Sequence, residues 1–279
     1  PYSPAAGTGL SSHELNQPGC YRDVKDTTCI AQFEITDPKE EMKGWGTPAF
    51  IAWTTTPWTL PSNTALCVGP NIDYCIVRTY NKYDGRPVTV VVAEALIDSV
   101  FNPKAKDLKL EDYKPGDKLV PYEIVAKCKG TDLVGLHYKQ LIPWMNPGEG
   151  AFRVIPGDYV TTDDGTGIVH IAGTFGADDL RVSQASGVPP MELVNAAGKI
   201  VPMVDLRGRF YMLDDLDPEF VRTRVNVEAY TPWQGKYVKN AYDSTKAEGD
   251  MTLDVEICIW LKENGKLFNS EKHTHSYPH

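Results

Sequence analysis

The chain has 279 residues, of which 42% are hydrophobic and 23% are charged, and its formal net charge is −9. This length can bury a full hydrophobic core, and the composition is ordinary for a globular protein. No apolar run approaches the length of a membrane span, so we expect no membrane partner. The acidic balance argues against a protein that holds nucleic acid mainly by neutralising phosphates, so any contact with nucleic acid should be local.

The spacing of the cysteines and the N-terminal residues bear on the compartment of the protein and on whether the chain is part of a longer one. Six cysteines are scattered without a C-x-x-C pair (Cys20, Cys29, Cys67, Cys75, Cys128 and Cys258). This spacing argues against a zinc ribbon and a disulfide scaffold and favours reduced thiols in a cytoplasmic protein. The chain begins without Met and without the basic and apolar regions of a signal peptide, which is typical of a piece of a longer protein.

Taken in order, the chain predicts many short strands and few helices. Residues 1–27 are rich in Pro, Gly, Ser and Asn and indicate a linker or an extended lead-in segment. A half-buried strand begins at Cys29, where apolar and polar residues alternate. Further strands are predicted at 49–54, 65–68, 74–79, 88–93, 123–126, 152–155 and 167–171, and helices at 94–101, 176–187 and 252–264. This pattern indicates a β-rich α+β domain or a barrel-like one.

One stretch, I-A-W-T-T-T-P-W-T-L-P-S-N at 51–63, must begin as a strand and then stop being one. Thr and Trp favour a strand, whereas Pro57 and Pro61 donate no backbone hydrogen bond. We therefore expect polar groups at the mouth of a strand, where a ligand could meet them: the hydroxyls of Thr54, Thr55 and Thr56 and the indole N–H of Trp58.

A second stretch, at 158–180, has a tight polar turn through Gly165 and Thr166, an apolar strand ending at His170, and a helix whose first turn carries Asp178 and Asp179. The two aspartates could simply complement the helix dipole, which is worth about 0.3–1 kcal/mol, and the histidine could be a packed core residue. Phosphate-binding loops and known nucleophile motifs are absent, so we predict no cofactor. The residues alone leave a possible Thr/His/Asp pocket.

These stretches resemble the editing domain inserted into the catalytic core of isoleucyl-tRNA synthetases. The motifs that carry the resemblance are W-T-T-T-P-W-T-L-P-S-N at 53–63, G-T-D-L-V-G-L-H-Y at 130–138, G-T-G-I-V-H at 165–170, F-G-A-D-D-L at 175–180 and H-S-Y-P-H at 275–279. Leucyl and valyl relatives carry T-T-R-P where this chain has T-T-T-P. The isoleucyl enzymes are therefore favoured.

The resemblance implies a barrel-like, β-rich α+β fold with a few peripheral helices. It implies an N-terminal linker over 1–27, the editing domain over 28–250, and a helix and return linker over 251–279. The implied activity is an aminoacyl-tRNA deacylase that hydrolyses Val-tRNA(Ile), with the valine-carrying CCA end and the rest of the synthetase as partners. A methylene separates valine from isoleucine, worth about 1–3 kcal/mol in an apolar pocket, a magnitude known from this very enzyme family and not obtained from this sequence.

The resemblance also implies residue roles. Asp179 would hold the α-ammonium, and His170 would shape the side-chain pocket; with Thr56 they form the expected catalytic set. The expected substrate contacts are Thr54, Thr55, Trp58, Gly165 and Thr166. Gly173 stands where relatives have a proline, which gives that loop more backbone freedom. Residues 211–247 match nothing to which a role can be assigned.

Two alternatives remain open at this point. One is a module that binds the tRNA end or an amino acid but is inactive without the parent enzyme. The other is an editing domain with leucyl- or valyl-type specificity.

Overall fold

The computed structural model describes residues 2–3, 8–9, 21–247 and 249–278. The strands are β1 (Tyr2–Ser3), β2 (Thr8–Gly9), β3 (Tyr21–Glu34), β4 (Thr47–Thr54), β5 (Ala65–Val68), β6 (Asp73–Tyr80), β7 (Pro87–Ala93), β8 (Glu123–Lys129), β9 (Arg153–Pro156), β10 (Ile168–Ile171), β11 (Leu193–Val194), β12 (Ile200–Val201) and β13 (Leu267–Pro278). The α-helices are α1 (Ile97–Val100), α2 (Gly130–Leu133), α3 (Ala177–Ala185), α4 (Pro218–Arg224), α5 (Val227–Tyr230) and α6 (Leu253–Glu263). Within these residues no helix is both long and apolar enough to cross a membrane.

Nine strands form one mixed sheet that curls into a half-barrel. Its main path runs β8-β6-β7-β4-β10-β5-β9, and β3 pairs with β4 and with β13. The sheet divides at β4. One edge of β4 pairs with β3, whereas the other edge pairs with β7 up to Phe50 and with β10 at Trp53. The division opens the sheet beside the end of β4, and the candidate site lies there.

Two apolar cores hold the sheet. The larger core includes β7, whose residues are buried from Val88 onward, as its continuous β-branched run predicts. The smaller core packs α3 against β5, β9 and β10 through six buried side chains: Ala65, Cys67, Ile155, Ile171, Val182 and Val188. This second core fixes the first turn of α3 beside the end of β10.

Most of the predicted strands and helices are confirmed, but two strands extend into segments where none was predicted. The strand predicted from Cys29 begins at Tyr21, and the segment from Leu267 onward forms strand β13. The two strands pair antiparallel, from Leu267 opposite Ala31 to Pro278 opposite Tyr21. Of these two strands only β3 pairs with β4, and it does so from Cys29 to Glu34. Residues 21–28 pair only with β13. Apolar and polar residues therefore do not alternate there, because no buried sheet face imposes it.

Residues 211–247, to which the sequence assigned no role, contain α4 and α5 and contribute to the core. Trp144 packs against Phe210, Tyr230 and Trp233, with ring centroids 5.6, 5.7 and 5.0 Å away. All four rings are buried. The helices have only seven and four residues, too few for a helical period to be visible in the sequence.

The predicted end of α3 at Gly187 can be tested by substitution. Gly187 has φ +69°, its N–H donates to the Gln184 carbonyl, and the next N–H donates to the Ser183 carbonyl. An added Cβ would meet only an Arg153 nitrogen at 3.9 Å, so Gly187→Ala tests the backbone conformation and not crowding. We expect a loss of about 1 kcal/mol in the free energy of unfolding, measured by urea titration.

Gly249→Ala is the matched control, because its φ is not positive and an added Cβ there meets nothing within 4 Å. Equal urea midpoints for the two variants would contradict the prediction.

Candidate functional site

A cleft of about 340 Å³ lies where β4 ends beside β10. Its walls contain seven of the eight predicted site residues: Thr54, Thr55, Thr56, Gly165, Thr166, His170 and Asp179. Trp53, Thr59, Tyr159 and Phe175 complete much of the lining. Two stretches about a hundred residues apart therefore form one polar concavity at a strand end.

The threonine segment stops being a strand for the reason that its sequence predicts. β4 ends at Thr54, and a 3-10 helix over Pro57–Ser62 follows, with proline in its first position. The N–H of Thr56 donates to Thr54 Oγ1 over 3.1 Å, which tightens the turn. Thr54 is buried, whereas Thr55 and Thr56 are half-buried and line the cleft.

Trp58 is the one predicted site residue that does not line the cleft. Its ring packs edge-on against Phe175, with ring centroids 5.0 Å apart, and Phe175 lines the cleft. Its indole N–H is buried and makes no hydrogen bond within the described part of the chain. The 3-10 helix places Trp58 behind Phe175, and the expected contact of its indole with a ligand stays a prediction.

His170 is held from one side by Asn63. The Asn63 Nδ2 lies 2.9 Å from the Ala65 carbonyl and 2.8 Å from His170 Nδ1. Because a carbonyl can only accept, this atom must be the amide nitrogen, and it donates to His170 Nδ1. The Tyr138 hydroxyl donates to the other end of the same amide over 2.6 Å. Nδ1 of His170 is therefore an acceptor, and the imidazole carries its proton on Nε2.

The other side of the ring is occupied as well. His170 Nε2 lies 3.0 Å from Thr59 Oγ1, and that hydroxyl donates to the Thr56 carbonyl over 2.8 Å. Burial, with 8% of the residue exposed, lowers the pKa of His170 to about 4. Since both ring nitrogens are hydrogen-bonded, His170 presents a neutral wall to the cleft and no free base.

We therefore expect His170 to stay neutral, as the Nε2–H tautomer, at every pH from 8 down to about 5. The folded-state pKa lies below the ordinary value, so protonation of the folded protein begins only near pH 4. Ring ¹⁵N chemical shifts across this pH range would show it. Exposed His137, whose Nδ1 lies 2.8 Å from Asp37, provides the comparison within the same spectra. A His170 titration centred near 6.5 would contradict the network.

The two neighbouring aspartates of α3 have different surroundings. Asp179 is half-buried: its Oδ2 accepts the Ala172 N–H over 3.0 Å, and its Oδ1 lies 3.3 Å from the Tyr159 hydroxyl. Burial raises the pKa of Asp179, although these hydrogen bonds act in the opposite direction. Asp178 is exposed and lies 3.6 Å from Arg181. The helix dipole could account for Asp178, but Asp179 points its partly desolvated carboxylate into the cleft.

The polar turn at Gly165 and Thr166 also belongs to the cleft, but the threonine hydroxyl has a structural partner. Thr166 Oγ1 donates to the Ile51 carbonyl over 2.7 Å and ties the turn to β4. Gly167 follows with φ +76°, and a Cβ there would lie 2.4 Å from the Cβ of Ala93. The turn therefore needs glycine, and Thr166 fixes its position.

Several residues that the sequence did not place in the site lie in or behind it: Trp53, Thr59, Asn63, Tyr138, Tyr159 and Phe175. Five of them stand in the motifs quoted for the resemblance, and Tyr159 stands in the stretch at 158–180. The sequence therefore pointed to the right stretches. Only tertiary distances distinguish them from their neighbours. Within the described residues, no group of three or more His, Cys, Asp or Glu side chains could hold a metal ion.

No family model matches the chain. It is 67% identical to the isoleucine–tRNA ligase of Bacteroides fragilis, 61% to that of Porphyromonas gingivalis and 37% to that of Clostridium tetani, in each case over the whole of this chain. The chain is therefore similar to isoleucine–tRNA ligases along its whole length. It spans 24%, 25% and 20% of these relatives, or about a quarter of their length.

The fold of this chain is also found in a solved structure. The leucyl-tRNA synthetase domain GlLeuRS-CP1 aligns with a TM-score of 0.51 and 13% identity, over 88% of this chain and 100% of that chain. The predicted class, a β-rich α+β domain with few helices, is confirmed as the fold of synthetase editing domains.

Proposed function

We propose that this chain is the post-transfer editing domain of an isoleucyl-tRNA synthetase and that it hydrolyses the ester bond of mischarged Val-tRNA(Ile). The observation that carries the proposal is the cleft itself. It unites a partly desolvated carboxylate, Asp179, with a neutral buried imidazole, His170, and the segment Thr54, Thr55 and Thr56. An aminoacyl ester offers a cation, a small apolar side chain and a polar carbonyl to match these three features.

Asp179 suits the α-ammonium of the aminoacyl group. Its described partners, the Ala172 N–H and the Tyr159 hydroxyl, are both neutral, so its charge is not already compensated by a contacting cation. Burial raises its pKa, which means that an arriving ammonium would restore the favourable interaction that desolvation removes. Charge-assisted hydrogen bonds of this kind are about twice as strong as neutral ones.

The reaction is attack of water on the ester carbonyl carbon. The bond from that carbon to the ribose oxygen breaks, one proton of the water goes to the ribose oxygen, the other is released to solvent, and valine leaves as its carboxylate. His170 cannot accept the water proton without giving up the hydrogen bond from Asn63. We therefore assign proton transfer to the adjacent ribose hydroxyl of the substrate and assign positioning to the cleft, which alone can supply much of the rate.

Discrimination would come from the wall that His170 and its partners form. The ring is held on both sides, by Asn63 and by Thr59, so it cannot move aside for a larger side chain without breaking a buried hydrogen bond. Valine would fit, and the extra methylene of isoleucine would not.

We propose further that residues 28–250 form the editing domain and that 1–27 and 251–279 connect it to a synthetic core. The antiparallel pairing of β3 with β13 supports this, because it places the two connecting segments side by side, as an inserted domain requires. The partners would be the valine-carrying CCA end of tRNA(Ile) and the rest of a cytoplasmic synthetase. We expect this chain to bind neither ATP nor zinc.

The test is to incubate the chain separately with Val-tRNA(Ile), Ile-tRNA(Ile) and Thr-tRNA(Val) and to follow ester loss against buffer. Selective loss of valine from tRNA(Ile) supports the proposal, whereas preferred loss from Thr-tRNA(Val) indicates valyl-type specificity. Both ring nitrogens of His170 are hydrogen-bonded, so the imidazole offers no free base, and this favours one rival, a binding module. Calorimetric binding of Val-tRNA(Ile) by the isolated chain without hydrolysis would favour that rival.

A further inference from the structure

A buried carboxylate outside the cleft contacts the helix that carries part of the site. Asp254, in the first turn of α6, is 4% exposed. Its Oδ1 accepts the backbone N–H of Trp58 over 2.9 Å, although the two residues are 196 positions apart. No sequence motif marks Asp254, and it does not line the cleft.

The Trp58 N–H is a donor that its own helix cannot satisfy. The first N–H groups of any helix lack partners within it. Pro57, the first residue of the 3-10 helix, has no N–H, and the N–H of Thr59 already donates to the Thr56 carbonyl. The N-cap Thr56 makes no side-chain cap hydrogen bond. Asp254 therefore caps this helix from a distant part of the chain.

Asp254 is costly to keep charged where it lies. The nearest cation, Lys239 Nζ, is 3.7 Å from its Oδ2 and also 3.8 Å from Asp26 Oδ1. Asp26 and the Cys29 thiol also lie close enough to interact with its charge. Burial raises the pKa of Asp254 to about 6. A protein with a well-packed apolar residue in such a place is commonly as stable as one with a buried charge. Stability alone therefore does not explain the carboxylate of Asp254.

The 3-10 helix that Asp254 caps connects it to the cleft. Trp58 supports Phe175, which lines the cleft, and Thr59 places its hydroxyl 3.0 Å from His170 Nε2. Trp58 carries the N–H that Asp254 accepts, and Thr59 is the next residue in the chain. We propose that Asp254 is a positioning residue of the editing site, which fixes the 3-10 helix so that Thr59 and Phe175 hold the pocket in its selective shape.

The test compares Asp254→Ala, Asp254→Asn and the control Glu263→Gln, an exposed carboxylate at the other end of the same helix. In the unsubstituted chain, the Trp58 amide proton signal should follow a titration between about pH 5 and 7 as the Asp254 carboxylate ionises. Asp254→Asn keeps an acceptor oxygen, so it should keep the amide shift and lose the titration. Asp254→Ala should lose both and also move the His170 ring ¹⁵N signals.

The effect on editing rests on the proposed function. We expect Asp254→Ala to lower the ratio of Val-tRNA(Ile) to Ile-tRNA(Ile) hydrolysis by roughly three- to tenfold, which is the loss of about one hydrogen bond, and Asp254→Asn to restore most of that ratio. An unchanged ratio in Asp254→Ala would overturn the proposal. If the unsubstituted chain hydrolyses neither ester, the proposed function has failed, and the two spectroscopic readouts still decide the positioning role: unchanged Trp58 and His170 signals in Asp254→Ala would overturn it.

Discussion

Asp179→Ala is expected to lower kcat/KM for hydrolysis of Val-tRNA(Ile) by roughly ten- to hundredfold, which corresponds to about 1.5–3 kcal/mol for a lost charged hydrogen bond. The carboxylate lines the cleft and has only neutral described partners, Ala172 and Tyr159, so it is available for the substrate ammonium. Single-turnover deacylation with purified Val-tRNA(Ile) measures the effect on the chemical step without interference from product release.

Two variants separate charge from structure in this experiment. Asp179→Asn keeps an acceptor for the Ala172 N–H and removes only the charge, so it should lose nearly as much activity as Asp179→Ala. Asp178→Ala removes the adjacent exposed carboxylate and should leave activity within about twofold, since an exposed ion pair contributes little. If Asp179→Asn retained full activity, the ammonium assignment would be wrong and Asp179 would only hold the loop at Ala172.

His170→Ala is expected to change specificity more than rate. Removing the buried ring enlarges the cleft, so correctly charged Ile-tRNA(Ile) should become a substrate. We expect the ratio of isoleucine to valine hydrolysis to rise roughly ten- to hundredfold, the range that one methylene is worth in this enzyme family. Valine hydrolysis should persist, because neither ring nitrogen of His170 is free to act as the base.

His137→Ala is the matched control, because it removes an exposed histidine outside the cleft. Urea titration of both variants is needed as well, since His170→Ala also removes one buried hydrogen bond from Asn63 and one from Thr59 and should cost stability. If Ile-tRNA(Ile) remained intact while Val-tRNA(Ile) was still cleared, His170 would not be the residue that excludes isoleucine.

Local patterns predicted the strands and the site stretches well, because each depends on neighbours in the chain. The β-branched run of β7 and the glycine after α3 each report a nearby physical requirement, and each was confirmed. The proline at 57 likewise ended β4 where the sequence predicted. Such patterns are missing where no buried sheet face requires them, as in residues 21–28 of β3, which pair with β13 but not with β4.

The sequence by itself therefore determined the fold class, the family resemblance and the two stretches that form the cleft. Only the tertiary structure decided that Trp58 lies behind Phe175, that Asn63 and Thr59 hold His170 in one neutral tautomer, and that Asp254 caps the 3-10 helix. The physical reason is that burial and hydrogen bonding between residues as much as 196 positions apart depend on how separate elements pack. No local period or motif encodes that packing.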